Sequence, residues 1–259
     1  MSNQAEEVAV RIPTRVVAAL AAAVLAAGCS ASTSAAPPPL KVCTTGDYQP
    51  LTYRDPATGH YTGIDIDMAR DLATHLGRAA TFVPTTWATL MPDLVKCDIA
   101  MGGISVTPAR RQQADFTAPY LANGKTPLTT TAHAAEFQTV AQINTRGTRV
   151  LEDTGGTNLA FAQQRLPDAT LVVSSDNTKC FAQLLAGHAD VMITDAIEAE
   201  YQARKNPGLV AVHPDQPFTS DHKAYLLPKG SPLTARVNEW LNAALQNGTF
   251  TRFYQQALS

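Results

Sequence analysis

From Leu40 onward the chain repeatedly changes its hydrophobic period, from the two-residue alternation of a strand to the three-to-four-residue spacing of a helix. LKVCTT reads as a strand and IDIDMARDLATHLG as an amphipathic helix that stops at Gly77. ATFVPT is a second strand, WATLMPDLV a helix and DIAMGG a third strand. After PYLANGKTPLTTT the series restarts with TRVLED, a helix opening at GGTNLAFAQQ, TLVVSS, a helix through NTKCFAQLLAGH, the strand DVMITD and a helix from Ala196. KAYLLP then precedes the helix SPLTARVNEWLNAALQNG and a last short helix, TFTRFYQQAL. Strands alternating with helices predict an α/β protein with parallel sheets. Two such runs with a C-terminal return predict two lobes with a ligand cleft between them: 40–126 plus 222–259 as lobe 1, and 127–221 as lobe 2.

The N-terminus stands outside this pattern. Arg11 and Arg15 precede VVAALAAAVLAAG, a run about as long as a signal-peptide core and shorter than the ~20 residues of a membrane span. Residues 1–28 are therefore expected to be a signal peptide. The run ends in LAAGC, similar to a bacterial lipobox, with Ala26 where a Leu is usual and Leu25 one position off. That similarity implies acylation of Cys29 and a lipid anchor at the membrane. SASTSAAPPP is the polar tether expected between such an anchor and a domain, giving 29–39 as linker. The expected location is the periplasm or cell envelope.

Charge and cysteines narrow the chemistry. Lys and Arg total 20 against 22 Asp and Glu, a formal net charge of -2, so no broad basic surface advertises nucleic acid and a small molecule is the expected partner. Setting Cys29 aside leaves Cys43, Cys97 and Cys180, which allow at most one internal disulfide, with Cys43–Cys97 the favoured pair. Neither the cysteines nor the six histidines have metal-ligand spacing, so no metal or other cofactor is expected.

Ligands of open α/β sheets sit outside the carboxyl ends of the strands, and here those ends are polar: TTGDY, GGISVTPARR, TGGTN and TDAIE. Glycine-rich turns into helix N-termini suit a carboxylate or phosphate. GGISVT and TGGTN lack nucleotide-loop spacing, there is no GxSxG elbow, and the sequence offers Ser105 no partner. In GHADVMITDAIEAEY, Asp195 and Glu198 stand three residues apart where a strand becomes a helix. A capping box would account for both; so would chemistry.

The order GIDIDMARDLA, GGISVTPARRQQADFTAPY, GGTN, DVMITD and KAYLLP resembles the periplasmic amino-acid-binding proteins of ABC importers, a two-lobed fold that closes on its ligand by hinge motion. The resemblance covers 40–259. It implies that Arg110 in SVTPAR holds a ligand carboxylate and that Asp195 holds an ammonium. More narrowly, CTTGDYQPLTY, PTTWATLMPD, GGISVT, NGKTP, GGTN, DVMITDAIE and KAYLLP together resemble the cyclohexadienyl dehydratases, enzymes on this fold that convert prephenate to phenylpyruvate and arogenate to phenylalanine. That resemblance implies that Glu198 is the general acid. Between MPDLV and CDIA the chain is shorter than the family pattern and loses a glycine helix stop.

The remaining candidates have two readings each. Trp87 is a wall against the substrate ring or a first-turn core residue of its helix. Lys125, at the crossing between lobes, pairs with a substrate carboxylate or is a solvated hinge lysine. Thr157 and Asn158 open a helix, where Asn158 is an N-cap or touches ligand. Arg110 binds a carboxylate or pairs with Asp115, and Asp47 is expected to pin its own loop. Losing hydroxide and CO2 from a cyclohexadienol gains an aromatic ring, so the part the protein must supply is an acid for the leaving group. The alternative is a lipid-anchored amino-acid receptor delivering to an ABC permease.

Overall fold

The computed structural model describes residues 37–258; the signal-peptide and lipidation readings, Cys29 included, lie outside the described residues, and of the expected tether only 37–39 are described, all exposed. Two five-stranded sheets organise the chain. The first has the order Ala80–Pro84, Leu40–Thr44, Ile99–Ala100, Leu226–Pro228, Ala114–Phe116; the second has the order Thr170–Ser174, Arg149–Asp153, Val191–Asp195, Lys125–Thr130, Leu209–Ala211. Each sheet is parallel across its first three strands and antiparallel across its last two. The expected parallel pairing holds for the first three strands of each sheet, and the last two strands add antiparallel pairs. The chain enters the second sheet and returns to the first through extended segments with no crossover helix, and those strands run the other way.

The crossings themselves, Leu121–Asn123 and Asp221–Lys223, pair antiparallel and join the two lobes. Strand Lys125–Thr130 begins two residues ahead of the expected boundary, so Lys125 and Thr126 belong to the second sheet. KAYLLP divides between two strands: Lys223 ends the crossing and Leu226–Pro228 enters the first sheet.

Helix Ile64–His75 buries Met68, Ala69, Leu72 and Ala73 in a core completed by Leu40, Val42, Tyr225, Trp240 and Leu241, while its Ile64 packs with Tyr48 and Leu51. A second core around Leu128, Leu151, Phe181 and Met192 fills one face of the second sheet. WATLMPDLV forms less helix than its periodicity predicts, only Leu90–Asp93 followed by a single 3-10 turn at Leu94–Lys96. The Thr86 and Thr89 hydroxyls bond each other at 2.9 Å and turn the preceding segment, and the chain must then reach Cys97, which is disulfide-bonded to Cys43 as expected. Cys180 is a buried free thiol.

Candidate active site

Both sheets point the carboxyl ends of their parallel strands at the cleft. On the first-lobe side the GGISVT loop is held from beneath by Asp65, which is wholly buried and accepts bonds from the Gly103 N–H at 2.6 Å, the Tyr120 hydroxyl at 2.5 Å and the Tyr225 hydroxyl at 3.2 Å. Burial raises this carboxyl to about 6. Gly103 has φ of 73°, and a Cβ there would sit 2.2 Å from the Tyr48 ring, so only glycine lets the loop pass beneath that side chain. Beyond the loop, Thr107 caps helix Pro108–Gln113 and Arg110 donates to the Ser105 carbonyl at 2.9 Å. The alternative Arg110–Asp115 pair is not formed, because Asp115 is held by Lys229 at 2.9 Å.

Asp195 is the centre of the cleft. Lys125 Nζ lies 2.9 Å from its Oδ1, while Lys223 Nζ and the Tyr48 hydroxyl both donate to Oδ2 at 2.6 Å. Burial would raise this carboxyl, and the two ammonium groups overrule it and hold it well below the usual range. Lys125 is 2% exposed, which corrects the solvated-hinge reading. Strand register explains why: Lys125 pairs directly with Asp195 across the antiparallel ladder. Its ammonium also reaches Thr157 Oγ1 at 2.8 Å and Asn158 Oδ1. Asn158 does not cap its helix, which begins at Gly156 with Gly155 as an uncapped N-cap; its Nδ2 instead donates to Thr194. Ser105 acquires the partner its sequence context did not reveal, accepting from Lys223 Nζ at 2.8 Å.

Glu198 lies in the first turn of helix Ala196–Lys205 and makes no capping box, and the Asp195 side chain makes no cap bond either. Its oxygens accept from Asn177 Nδ2 at 2.8 Å and from the Thr194 hydroxyl, and the residue is wholly buried. Burial, with the charges of Asp153 and Asp195 adding to it, raises the Glu198 carboxyl well above its ordinary range. Trp87 stands just before its helix and lines the cavity edge-on to Tyr48, ring centres 5.7 Å apart. The wall of the cavity between the lobes includes Trp87, Ser105, Thr157, Asn158 and Asp195 among the expected residues. Glu198 and Lys125 stand behind that wall.

Four further side chains line the wall, Tyr48, Lys223, Asn177 and Asp153, and the sequence does not mark them as site residues. Lys223 had one usable signal, a lysine inside the otherwise apolar KAYLLP. Asn177 follows the true N-cap Asp176 and reads as part of that cap. Instead it spans the lobes, donating to the Asp47 carbonyl at 3.0 Å as well as to Glu198. Among the described residues no group of three or more His, Cys, Asp or Glu side chains is arranged to hold a metal ion.

Residues 40–259 match the bacterial extracellular solute-binding proteins, family 3. The chain belongs to this family. Its relatives include cyclohexadienyl dehydratase of Pseudomonas aeruginosa, 47% identical over 211 residues that cover 81% of this chain and 78% of the relative. They also include the ABC transporter arginine-binding protein 1 of Escherichia coli K12, 27% identical over 77% of this chain and 83% of the relative. Among solved structures, an ancestral amino acid-binding protein described as a precursor of cyclohexadienyl dehydratase matches at a TM-score of 0.77 and 34% identity, over 85% of this chain and 95% of that one. An ancestral cyclohexadienyl dehydratase matches at 0.51 and 49% identity, over 85% and 92%. Family 3 thus holds both an enzyme and amino-acid binders, and the side chains in the cleft must distinguish the two chemistries in this member.

Proposed function

We propose that this family 3 protein is a cyclohexadienyl dehydratase, a carbon–oxygen lyase that removes water and CO2 from prephenate to give phenylpyruvate, or from arogenate to give phenylalanine. The observation that carries this reading is Glu198: a wholly buried carboxyl, raised by that burial, one helical turn from an ionised Asp195. Two carboxyls whose surroundings drive them apart in proton affinity are what an acid-catalysed elimination requires. The 47% identity to a cyclohexadienyl dehydratase supports the same assignment.

In this reading Lys125, Lys223 and Arg110 supply positive charge for the substrate's carboxylates, and Thr157, Asn158 and Ser105 orient them. Trp87 packs against the ring. Glu198 protonates the departing hydroxyl; the C–O bond breaks, the electron pair of the C–CO2 bond enters the ring, and an aromatic product, water and CO2 leave. Closure around the substrate excludes bulk water. Asp195 already has both oxygens engaged by lysines, so it is a poor acceptor for a substrate ammonium, which favours the dicarboxylate prephenate. No metal or cofactor enters the step. Export, and an acyl anchor at Cys29, belong to the same reading on the strength of the leader and LAAGC; separation of membrane and soluble fractions checks the anchor.

Glu198→Gln tests the acid. Turnover of prephenate is expected to fall about 10²-fold or more, while phenylpyruvate binding persists. Wild-type protein that binds amino acids tightly and turns over neither substrate would instead establish the receptor reading, with an ABC permease as partner.

A further inference from the structure

Asp153 ends strand Arg149–Asp153 on the cavity wall and is 5% exposed. It is one of two carboxylates on that wall among the described residues, and the other, Asp195, is committed to Lys125 and Lys223. No ion pair among the described residues involves Asp153. The sheet order sets its position: Arg149–Asp153 and Lys125–Thr130 flank Val191–Asp195 on opposite sides, so the Asp153 and Lys125 backbones lie two interstrand spacings apart, roughly 10 Å. Lys125 therefore lies on one side of Asp195 and Asp153 on the other. Asn177 also lines the wall and holds Glu198 behind it.

A substrate ring whose carboxylates lie against the lysines directs the hydroxyl on its opposite carbon toward Asp153 and Asn177. Resting on the dehydratase reading, we propose that Asp153 is a further catalytic residue, holding a proton and donating a hydrogen bond to the departing oxygen that Glu198 protonates. Glu198 gives up its proton, the C–O bond breaks, water forms, and the Glu198 carboxylate recovers a proton from solvent when the lobes open. Asp153 keeps its own throughout. A preorganised donor aimed at developing negative charge is among the stronger devices available to a dry site.

The surroundings favour the protonated form. Burial raises the Asp153 carboxyl to about 7, with Asp47 and Asp195 adding to the rise and Lys125 opposing it. Glu152, Glu198 and Cys180 are the remaining titratable neighbours whose charges couple to it. The donor is thus present below about 7 and lost above it.

The test compares kcat for prephenate in wild type, Asp153→Ala and Asp153→Asn between pH 5 and 9. Asp153→Ala, which has no donor, is expected to lose tenfold or more in kcat. Asp153→Asn keeps a donor that does not titrate, so it should retain kcat within a few-fold at pH 6 and lose the wild-type fall near pH 7. Asp153→Ala within twofold of wild type, or a fall near pH 7 that persists in Asp153→Asn, overturns the proposal. If the alanine variant does not fold, the asparagine profile alone decides. A wild-type protein with no turnover would defeat the dehydratase reading itself, an outcome distinct from either variant result.

Discussion

Asp195 and Glu198 are one helical turn apart, and their surroundings divide them. Asp195 has two ammonium partners and stays ionised, while Glu198 has only neutral donors and is driven toward its protonated form. The acids, and Lys125, were legible as chemistry because they sit at strand ends within recognisable motifs. Their pairing was not, since Lys223 lies 28 residues from Asp195 and nothing local links them. The same pairing makes Asp195→Asn costly: two buried lysines lose their counter-ion, and unfolding by urea should show a loss of about 3–5 kcal/mol. A saturating small dicarboxylate should restore part of that loss by supplying the missing charge. A loss below about 1 kcal/mol, or no response to the dicarboxylate, would show that the lysines do not depend on Asp195.

At the scale of elements, helix Ile64–His75 carries two first-turn acids that the pattern IDID cannot tell apart. Asp67 is half-buried at the surface and pairs with Arg70, whereas Asp65 points inward to bond Gly103, Tyr120 and Tyr225. Periodicity identifies a helix and its apolar face. It does not reveal that a neighbouring loop delivers an N–H to one polar position on that helix. Asp65 rises from 3.8 to about 6 on folding, so its contribution to stability is complete below 3.8 and is lost as pH rises through about 6. In Asp65→Asn that part of the pH dependence should vanish, and the mismatched amide should cost about 1–3 kcal/mol. Urea melts of both proteins at pH 4 and pH 7 measure this; equal pH dependence in the two would rule out Asp65 as its source.

At the scale of the molecule, the lobes meet through Tyr48–Asp195 at 2.6 Å, Asn177 to the Asp47 carbonyl at 3.0 Å and Ser105–Thr157 at 3.5 Å. At Gly155 the backbones of the two lobes approach closely. With φ of 84°, a Cβ there would meet Ala88 N at 2.8 Å and Trp87 C at 3.1 Å, both from the opposite lobe. Gly155→Ala should therefore keep the lobes from closing fully. Small-angle scattering with bound phenylpyruvate should give a larger radius of gyration than for wild type, with prephenate kcat/KM down at least tenfold. Equal radii and equal kcat/KM would show that closure does not need this contact.

By itself the sequence determined the α/β class, the two successive runs of strands and helices, the limit of one internal disulfide and the strand ends that carry polar chemistry. These follow from hydrophobic period, turn residues and cysteine count, all properties of short stretches of chain. Tertiary structure alone decided the antiparallel returns, the inward turn of Asp65, and the meeting of Lys125 and Lys223 on one carboxylate. It also decided that Asp153 reaches the cavity wall and that Asn177, on the same wall, holds Glu198. Whether a carboxyl is charged depends on burial and on partners drawn from distant segments, and those are properties of the assembled lobes.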